Sequence, residues 1–416
     1  LIFTFALRSL RRHLLSTALA ASSLALAGGL VMALFVVQHE AEAAFTGDRL
    51  GFDAVVGARG SQLQLVLNAV FHLETSPGNL PWTVYQSVRD HPAVSLAIPY
   101  ALGDNYYGYR IVGTTLELFE DLEFRDGGSF ELRDGRFFDE RYREAVLGSF
   151  AAAKTGLKVG DIFRPYHGLN FDPTTQHSEE YLVVGVLKPT NTPADRVLWI
   201  PIEGIFRMEG HVLRGTGEDF SPERGQRIPD EHKEVSAVML KVASPQAGFL
   251  LETQINRQGT TASLAYPIAM VMGELFNRLG WGTFILRIVA ILVGVVALLS
   301  NTAALLNTLN ERRRDIAIMR SLGARRGFIL REIVLESSLI GAVGAAGSFL
   351  IYTVIVQTTS VTLWQRTGVL INGATFHWSL VVVPVLIVLS SALCGLLPAW
   401  RAYQTDVIAH LNGTST

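Results

Sequence analysis

Apolar residues along this chain fall into two regimes. In four places they run together for long enough to cross a bilayer, which takes about 20 residues. These runs are roughly Leu14 to Val37, Thr283 to Leu306, Ile333 to Val356 and Leu380 to Leu397. Between the first and second runs, apolar residues recur at the shorter spacings of strands and amphipathic helices. "VSLAIPYAL" and "YYGYRIVGT" read as strands joined by a turn at Gly103, Asp104 and Asn105, and "PWTVYQSVRDHP" ahead of them has helical spacing with a proline stop. Further on, "EAVLGSFAAAKTGLKVGDIFRPY" reads as strand, helix, glycine turn and strand, while "EYLVVGVLK", "RVLWIPI" and "VSAVMLKVA" read as buried strands. Two polar stretches interrupt the pattern, "PYHGLNFDPTTQHSEE" and the charged "EGHVLRGTGEDFSPERGQRIPDEHKE". Loops of that length are usually functional or disordered. The expected fold is a membrane protein with four transmembrane α-helices and one large α+β extracytoplasmic domain between spans 1 and 2.

On this reading residues 1–13 form an amphipathic helix on the inner leaflet, with Phe3, Leu7, Leu10 and Leu14 on one side. Residues 14–37 are the first span, 38–267 the outer domain, and 268–306 a stalk continuous with the second span, with Gly280 and Gly282 as places to hinge. Residues 307–328 form a connection, 329–356 the third span, 357–379 an outer loop, 380–400 the fourth span and 401–416 a tail.

The net charge of −2 decides little, but the placement of arginine decides topology. Arg8, Arg11 and Arg12 precede the first span, and Arg312, Arg313, Arg314, Arg320, Arg325, Arg326 and Arg331 fill the link between the second and third. Arg401 follows the fourth, and the 357–379 link carries only Arg366. Positive loops stay inside, so both termini are expected in the cytoplasm and the large domain in the periplasm of a bacterial inner membrane. Arginines gathered at membrane ends make the lipid bilayer the expected partner, with no nucleic acid. The N-terminal basic and apolar run followed by "AEAA" resembles a signal peptide, but it exceeds the about 7–15 apolar residues of one, so a retained span is expected. The single cysteine, Cys394, lies in the fourth span, so no intramolecular disulfide staples the outer domain.

The segment "ERRRDIAIMRSLGARRGF" carries the sharpest chemistry. As a helix it runs from about Glu311 to Leu322 and stops at Gly323, with Ile316 and Met319 on one stripe and Ile318 and Leu322 on the next. A topology anchor needs only the arginines. An ordered apolar side in addition points to a helix that docks into a groove on a partner. Glu332 and Glu336 share a helix face near the end of span three and are expected to pair with nearby arginines. "GAVGAAG" lies inside a span, so its spacing serves close helix packing through Gly341 with Ala345 and Gly344 with Ser348, not nucleotide binding. Asn301 and Thr302 are the main polar residues deep in span two, and Arg287 lies near its outer end. Seven of the ten histidines fall in the outer domain, none at a metal-ligand spacing. His211 and His232 beside Glu218, Asp219, Asp230 and Glu231 could form a metal site, but without ligand spacing they read as a solvated loop, so no metal is expected. The sequence contains no Walker A pattern and no catalytic constellation, so no enzyme activity is expected of this chain.

"LNERRRDIAIMRSLGARRGFILREIVLES" resembles the segment after the second span in the MacB/FtsX/LolE family of ABC transporter permeases. The matching residues are Glu311, Arg312, Asp315, Ile316, Arg320, Gly323 and Ala324; Asp315 stands where glutamate is common. "LPAWRAYQTDVIAHL" is similar to that family's ending, with Asp406 or Val407 in place of a usual proline, and the N-terminal "FALRSLRRHLLSTALA" also fits. The resemblance implies a non-catalytic permease working in pairs, with a second copy or a homologous permease, above two copies of an ABC ATP-binding subunit. ATP and Mg would be bound by that partner, with no cofactor in this chain. The resemblance places the ATPase-coupling contact on Glu311, Arg312, Arg314, Asp315, Ile316, Ile318, Met319, Arg320, Leu322, Gly323 and Ala324. It implies a Porter subdomain interrupted by a Sabre-like one, and action by mechanotransmission on lipoproteins or another envelope substrate. An FtsX-like regulator of a periplasmic partner and an exporter of peptides or small molecules are the alternatives. For a lipoprotein cargo, Leu30, Phe35, Met270 and Phe276 are expected to face an acyl-chain cavity.

Overall fold

A computed structural model of the chain describes residues 2–45, 51–124, 127–209, 211–222, 226–321, 323–367, 373 and 375–404. Its helices are α1 (Ile2–Arg12), α2 (Leu14–Phe45), α3 (Gln62–Ala69), α4 (Trp82–Arg89), α5 (Glu117–Glu120), α6 (Ser149–Thr155), α7 (Ile202–Phe206), α8 (Pro245–Thr253), α9 (Ile268–Glu311), α10 (Arg313–Ser321), α11 (Arg326–Thr367) and α12 (Ser379–Gln404). Its strands are β1 (Ala54–Ala58), β2 (Leu80–Pro81), β3 (Val94–Tyr106), β4 (Tyr109–Thr114), β5 (Leu132–Gly135), β6 (Glu144–Leu147), β7 (Ile162–Phe163), β8 (Tyr166–His167), β9 (Tyr181–Leu187), β10 (Leu198–Pro201), β11 (Glu234–Val235), β12 (Ala237–Val242) and β13 (Ala262–Ala265).

The chain divides into a helical unit, Leu1–Glu40 with Leu279–Thr362 and Ile371–Thr416, and a sheet unit, Ala41–Arg278 with Leu363–Leu370. The sheet unit is built on one eleven-stranded sheet, in the order β13-β1-β12-β3-β4-β10-β6-β9-β5, with β7 paired to β9 and β8 to β3. Period-two alternation splits its strands between two cores. Ala54, Val56, Ala145, Leu147, Leu198, Ile200, Val238 and Leu240 face one core, with α4, α6 and α7 packed over them. Val55, Val146, Val197, Trp199, Ala237 and Met239 face the other, under α3 and α5. That second core also takes Ile268 and Met272, with Val271, Leu275 and Phe276 packed against it. The i, i+3, i+4 and i+7 spacing thus roots the first turns of α9 in the sheet unit.

One turn differs from the expectation. Gly103, Asp104 and Asn105 do not end a strand; β3 runs through them to Tyr106. The reversal comes at Tyr107 and Gly108, both at positive φ (48° and 84°), which suits a two-residue hairpin turn. At Gly103 the β3–β4 register shifts instead, from Leu102 opposite Val112 to Asp104 opposite Ile111. The bulge re-aims the residues that follow it.

In the helical unit four helices are long and apolar enough to cross a membrane: Leu14–Ala43, Gly280–Glu311, Gly327–Gln365 and Ser379–Trp400, with mean hydropathies of 2.2, 2.5, 2.1 and 2.7. The third continues well past Val356, so much of the expected 357–379 loop is helix; residues 368–372 and 374 lie outside the described residues, as do residues 405–416 of the tail. Phe284, Ile291, Val296 and Leu299 of α9 are exposed, as a helix in lipid requires. α9 runs unbroken through Gly280 and Gly282.

Close approach between helices is made by small residues. A Cβ on Gly344 would lie 2.7 Å from the Leu24 Cβ of α2, and one on Gly341 would lie 2.7 Å from the Ser391 Cβ of α12. Ala345 and Ser348 are buried on the same helix, and a Cβ on Gly28 would come within 3.0 Å of the Ser348 Cβ. Backbones this close gain dispersion contacts, the main attraction available between helices in lipid.

Truncating a strand residue should separate core from rim. Leu198 is fully buried in β10, so Leu198→Ala is expected to destabilise the sheet unit by about 2–5 kcal/mol. Leu182 on β9 is 40 % exposed, so Leu182→Ala should stay within about 0.5 kcal/mol. Urea unfolding of the full chain followed by near-ultraviolet circular dichroism measures both.

Candidate functional site

The basic connection after span two folds as a break and a short helix. α9 ends at Glu311, not before it, and Arg312 stands between α9 and α10. Its N–H is shared between the carbonyls of Thr308 (3.1 Å) and Leu309 (3.2 Å). α10 is closed by a left-handed Gly323 (φ 96°), whose N–H donates to the Arg320 carbonyl, while the Ala324 N–H donates to that of Met319. This pair of bonds is the Schellman arrangement, which glycine adopts without steric cost. Leu322 lies outside the described residues.

The apolar side of α10 does not point outward as a whole. Ile316 and Ala317 are buried, and Ile316 packs with Leu309, Ile329, Ile333 and Ala399, with Met319 half-buried against them. The Ile316 and Met319 stripe is therefore spent on the chain's own α9, α11 and α12. Ile318 is 42 % exposed, with Ser321 and Arg325 also exposed. Among the described side chains of α10 the exposed apolar one is Ile318, while Ile316 and Met319, expected to face a partner, pack within the chain.

Arg312 is buried at the break and holds an ion network. Its guanidinium lies 3.0 Å from Glu332 and 3.3 Å from Glu336, and donates to Ser9 Oγ at 2.6 Å. Ser9 Oγ in turn donates to Glu336 at 2.6 Å. α1, the α9–α10 break and α11 are tied through one arginine. Deeper in the unit Asn301 donates to Ser391 Oγ (2.8 Å) and Ser337 Oγ (3.4 Å), linking α9 to α11 and α12. Thr302 bonds back to its own helix at Leu298, and Arg287 donates to Gln38 and lies over the Phe35 ring.

The residues expected to face an acyl chain are dispersed in character. Phe35 stands in an aromatic group with His377 and Trp378, and Leu30 is half-buried. In the sheet unit Met270 is 61 % exposed, whereas Phe276 packs on the second core.

One constellation escaped the sequence. Asp104, His167, His177 and His211 converge in the sheet unit, each offering one ligand atom within 4.8 Å of the others. His211 does not pair with His232, which stacks on Phe220 instead (4.1 Å, 5° between planes). Burial opposes ionisation of Asp104, but hydrogen bonds from His167, His177 and His211 outweigh it and hold the carboxyl well below the usual range. The hydrogen bond to Asp104 pushes the His167 imidazole up. The signal available beforehand was that both polar stretches interrupting the strand pattern carry these histidines; the partner on β3 was hidden inside what read as a turn.

Comparison with known proteins agrees with the helical unit. Residues 287–407 match the family model of the FtsX-like permease C-terminal region. An uncharacterised ABC transporter permease of Methanocaldococcus jannaschii is 22 % identical over 317 residues, covering 74 % of this chain and 70 % of that one. The pyoverdine export ATP-binding/permease protein PvdT of Pseudomonas aeruginosa is 24 % identical over 190 residues, covering 45 % of this chain but only 25 % of PvdT. The crystal structure of the periplasmic region of MacB from Actinobacillus actinomycetemcomitans aligns at 10 % identity and a TM-score of 0.32, covering 55 % of this chain and 94 % of that one. Residues 287–407 thus resemble the C-terminal region of FtsX-like permeases, and over 74 % of its length the chain is similar to an ABC transporter permease.

Removing the counter-charge at the break should be costly. Arg312→Met leaves Glu332 and Glu336 buried and uncompensated, and is expected to lose about 3–5 kcal/mol. Arg312→Met combined with Glu332→Gln and Glu336→Gln should recover most of that loss. Thermal unfolding in detergent compares the two.

Proposed function

We propose that this permease transmits the ATP cycle of a separate ATPase mechanically to its outer domain, and that α9 is the transmitting element. The observation that carries this reading is the course of α9, a single helix of 44 residues. Its first turns are fixed in the sheet core by Ile268 and Met272, and its last residue adjoins Arg312 and α10. The ATPase, supplying the ATP and Mg sites, docks on the exposed side of α10 around Ile318, Ser321 and Arg325. Glu311, Arg314, Asp315, Arg320, Gly323 and Ala324 frame that contact or shape the turn beneath it, while Ile316 and Met319 hold the helix in place. Two ATPase copies and a second permease, identical or homologous, complete the assembly in a bacterial inner membrane with the sheet unit outside.

The polar groups of the helical unit favour mechanical action over a channel. Asn301 is bonded to serines on two neighbouring helices, and Glu332 and Glu336 are paired with Arg312. Ionisable and polar groups along a substrate path would face an aqueous cavity; these are used for packing. The substrate is then taken up outside the bilayer core, a lipoprotein or another envelope molecule. Export of a small molecule is the second reading, favoured by the partial likeness to PvdT.

Ile318→Asp places a charge on the exposed face without touching the core. It should abolish co-purification of the ATPase while leaving the melting temperature of the permease unchanged. Retention of the ATPase by this variant would remove α10 from the interface. For the cargo, exposed Met270→Asp should abolish lipoprotein-stimulated ATP hydrolysis in an assembled complex; undiminished stimulation favours the export reading.

A further inference from the structure

The cluster on β3 has the composition and spacing of a metal centre, and it lies outside the transmission machinery described above. Asp104 follows the Gly103 bulge and is fully buried. Its Oδ1 lies 3.2 Å from His177 Nε2, 3.3 Å from His211 Nε2 and 3.3 Å from His167 Nδ1. Its Oδ2 is buried with no hydrogen-bond partner among the described residues. A carboxylate that takes three imidazoles on one oxygen and no hydrogen bond on the other is poorly served by hydrogen bonding alone, because an unsatisfied buried oxygen carries its full desolvation cost.

The distances fit coordination. Zinc bonded to nitrogen and oxygen at about 2.0–2.1 Å in a tetrahedron separates its ligand atoms by about 3.3 Å. The three oxygen-to-nitrogen edges already have that length. The imidazole-to-imidazole edges lie within 4.8 Å.

The backbone holds the ligands in place by itself. β8 pairs with β3 so that His167 stands opposite Asp104. Buried Asn105 donates to the carbonyls of Gly168 (2.8 Å) and Asn170 (3.2 Å), fixing the chain after His167. The His177 N–H donates to Pro165 O at 2.9 Å, and that of His211 to Met208 O at 3.1 Å. Access is provided too. The His167 side chain is 57 % exposed, and a cavity of about 240 Å³ is lined in part by Gly103, His167 and His211.

We propose that Asp104, His167, His177 and His211 form a tetrahedral binding site for a divalent cation of the zinc class. Three imidazoles and one carboxylate suit a borderline ion, whereas calcium and magnesium call for oxygen ligands alone. The only cysteine of the chain, Cys394, belongs to the helical unit, so a thiolate site for a softer ion is not formed here. The bound ion joins both polar loops to β3, making the outer domain responsive to metal independently of how the ATPase docks.

The test uses the full chain in detergent, freed of any polyhistidine tag, with zinc titrated against a chromophoric chelator. One zinc per chain is expected, together with a rise in melting temperature. His167→Ala and His211→Ala should each weaken binding by about 100-fold or more, since loss of outer-shell partners alone costs about 10–100-fold. His232→Ala should bind as the wild type does. His167 is exposed enough that its replacement leaves the fold intact, which melting in EDTA checks. Cobalt in place of zinc should give the intense visible absorption of a tetrahedral site, lost in both variants. Less than one zinc per chain, or equal affinity in wild type, His167→Ala and His211→Ala, overturns the proposal.

Discussion

Helix α9 has to satisfy two solvents along one length. Its first turns display Ile268, Met272 and Leu275 to a protein core, and the turns beyond Leu279 display Phe284, Ile291 and Val296 as lipid demands. An α-helix allows this because every backbone bond is closed within the segment, whatever surrounds it. A strand or an irregular connection at the same place would present unpaired amides to hydrocarbon. The length of α9 follows from this constraint. Its glycines at 280 and 282 have open space around them, yet the helix runs through both.

Inside the helical unit stability is found without a hydrophobic gradient, since lipid is as apolar as leucine. Two devices take its place. Glycine at 341 and 344 lets α11 approach α12 and α2 closely enough for dispersion to act over many atoms. Polar pins then fix register: Asn301 with Ser337 and Ser391 at depth, and Arg312 with Glu332, Glu336 and Ser9 near the α9–α10 break. The pins are costly to bury, and their hydrogen bonds and ion pairs favour one arrangement among several that close packing alone would tolerate.

Much of the architecture was legible in the sequence because its signals are local. Span length and the alternation in "RVLWIPI" or "VSAVMLKVA" each need only a short window. The misreadings arose where a long-range partner decides. Gly103, Asp104 and Asn105 have turn composition, but pairing of Asp104 and Asn105 to β4 and β8 draws them into a long strand. Ile316 and Met319 form a helical stripe, and nothing near them reveals that Ile329, Ile333 and Ala399 already cover it. The histidine cluster is the extreme case. Its members come from β3, β8 and two loops, separated by up to 107 positions, and no spacing rule joins them.

A sheet buried on both faces has no flat side left for recognition. The two cores of the sheet unit take up most of the alternating residues of β1, β6, β10 and β12. Whatever the domain meets is met on the outer surfaces of the covering helices, along the edge strands β13 and β5, or on the loops that leave the strand ends. Specificity in such a domain changes by loop replacement, with the sheet unchanged beneath. Relatives that share the membrane helices can therefore diverge in what they handle without repacking either core.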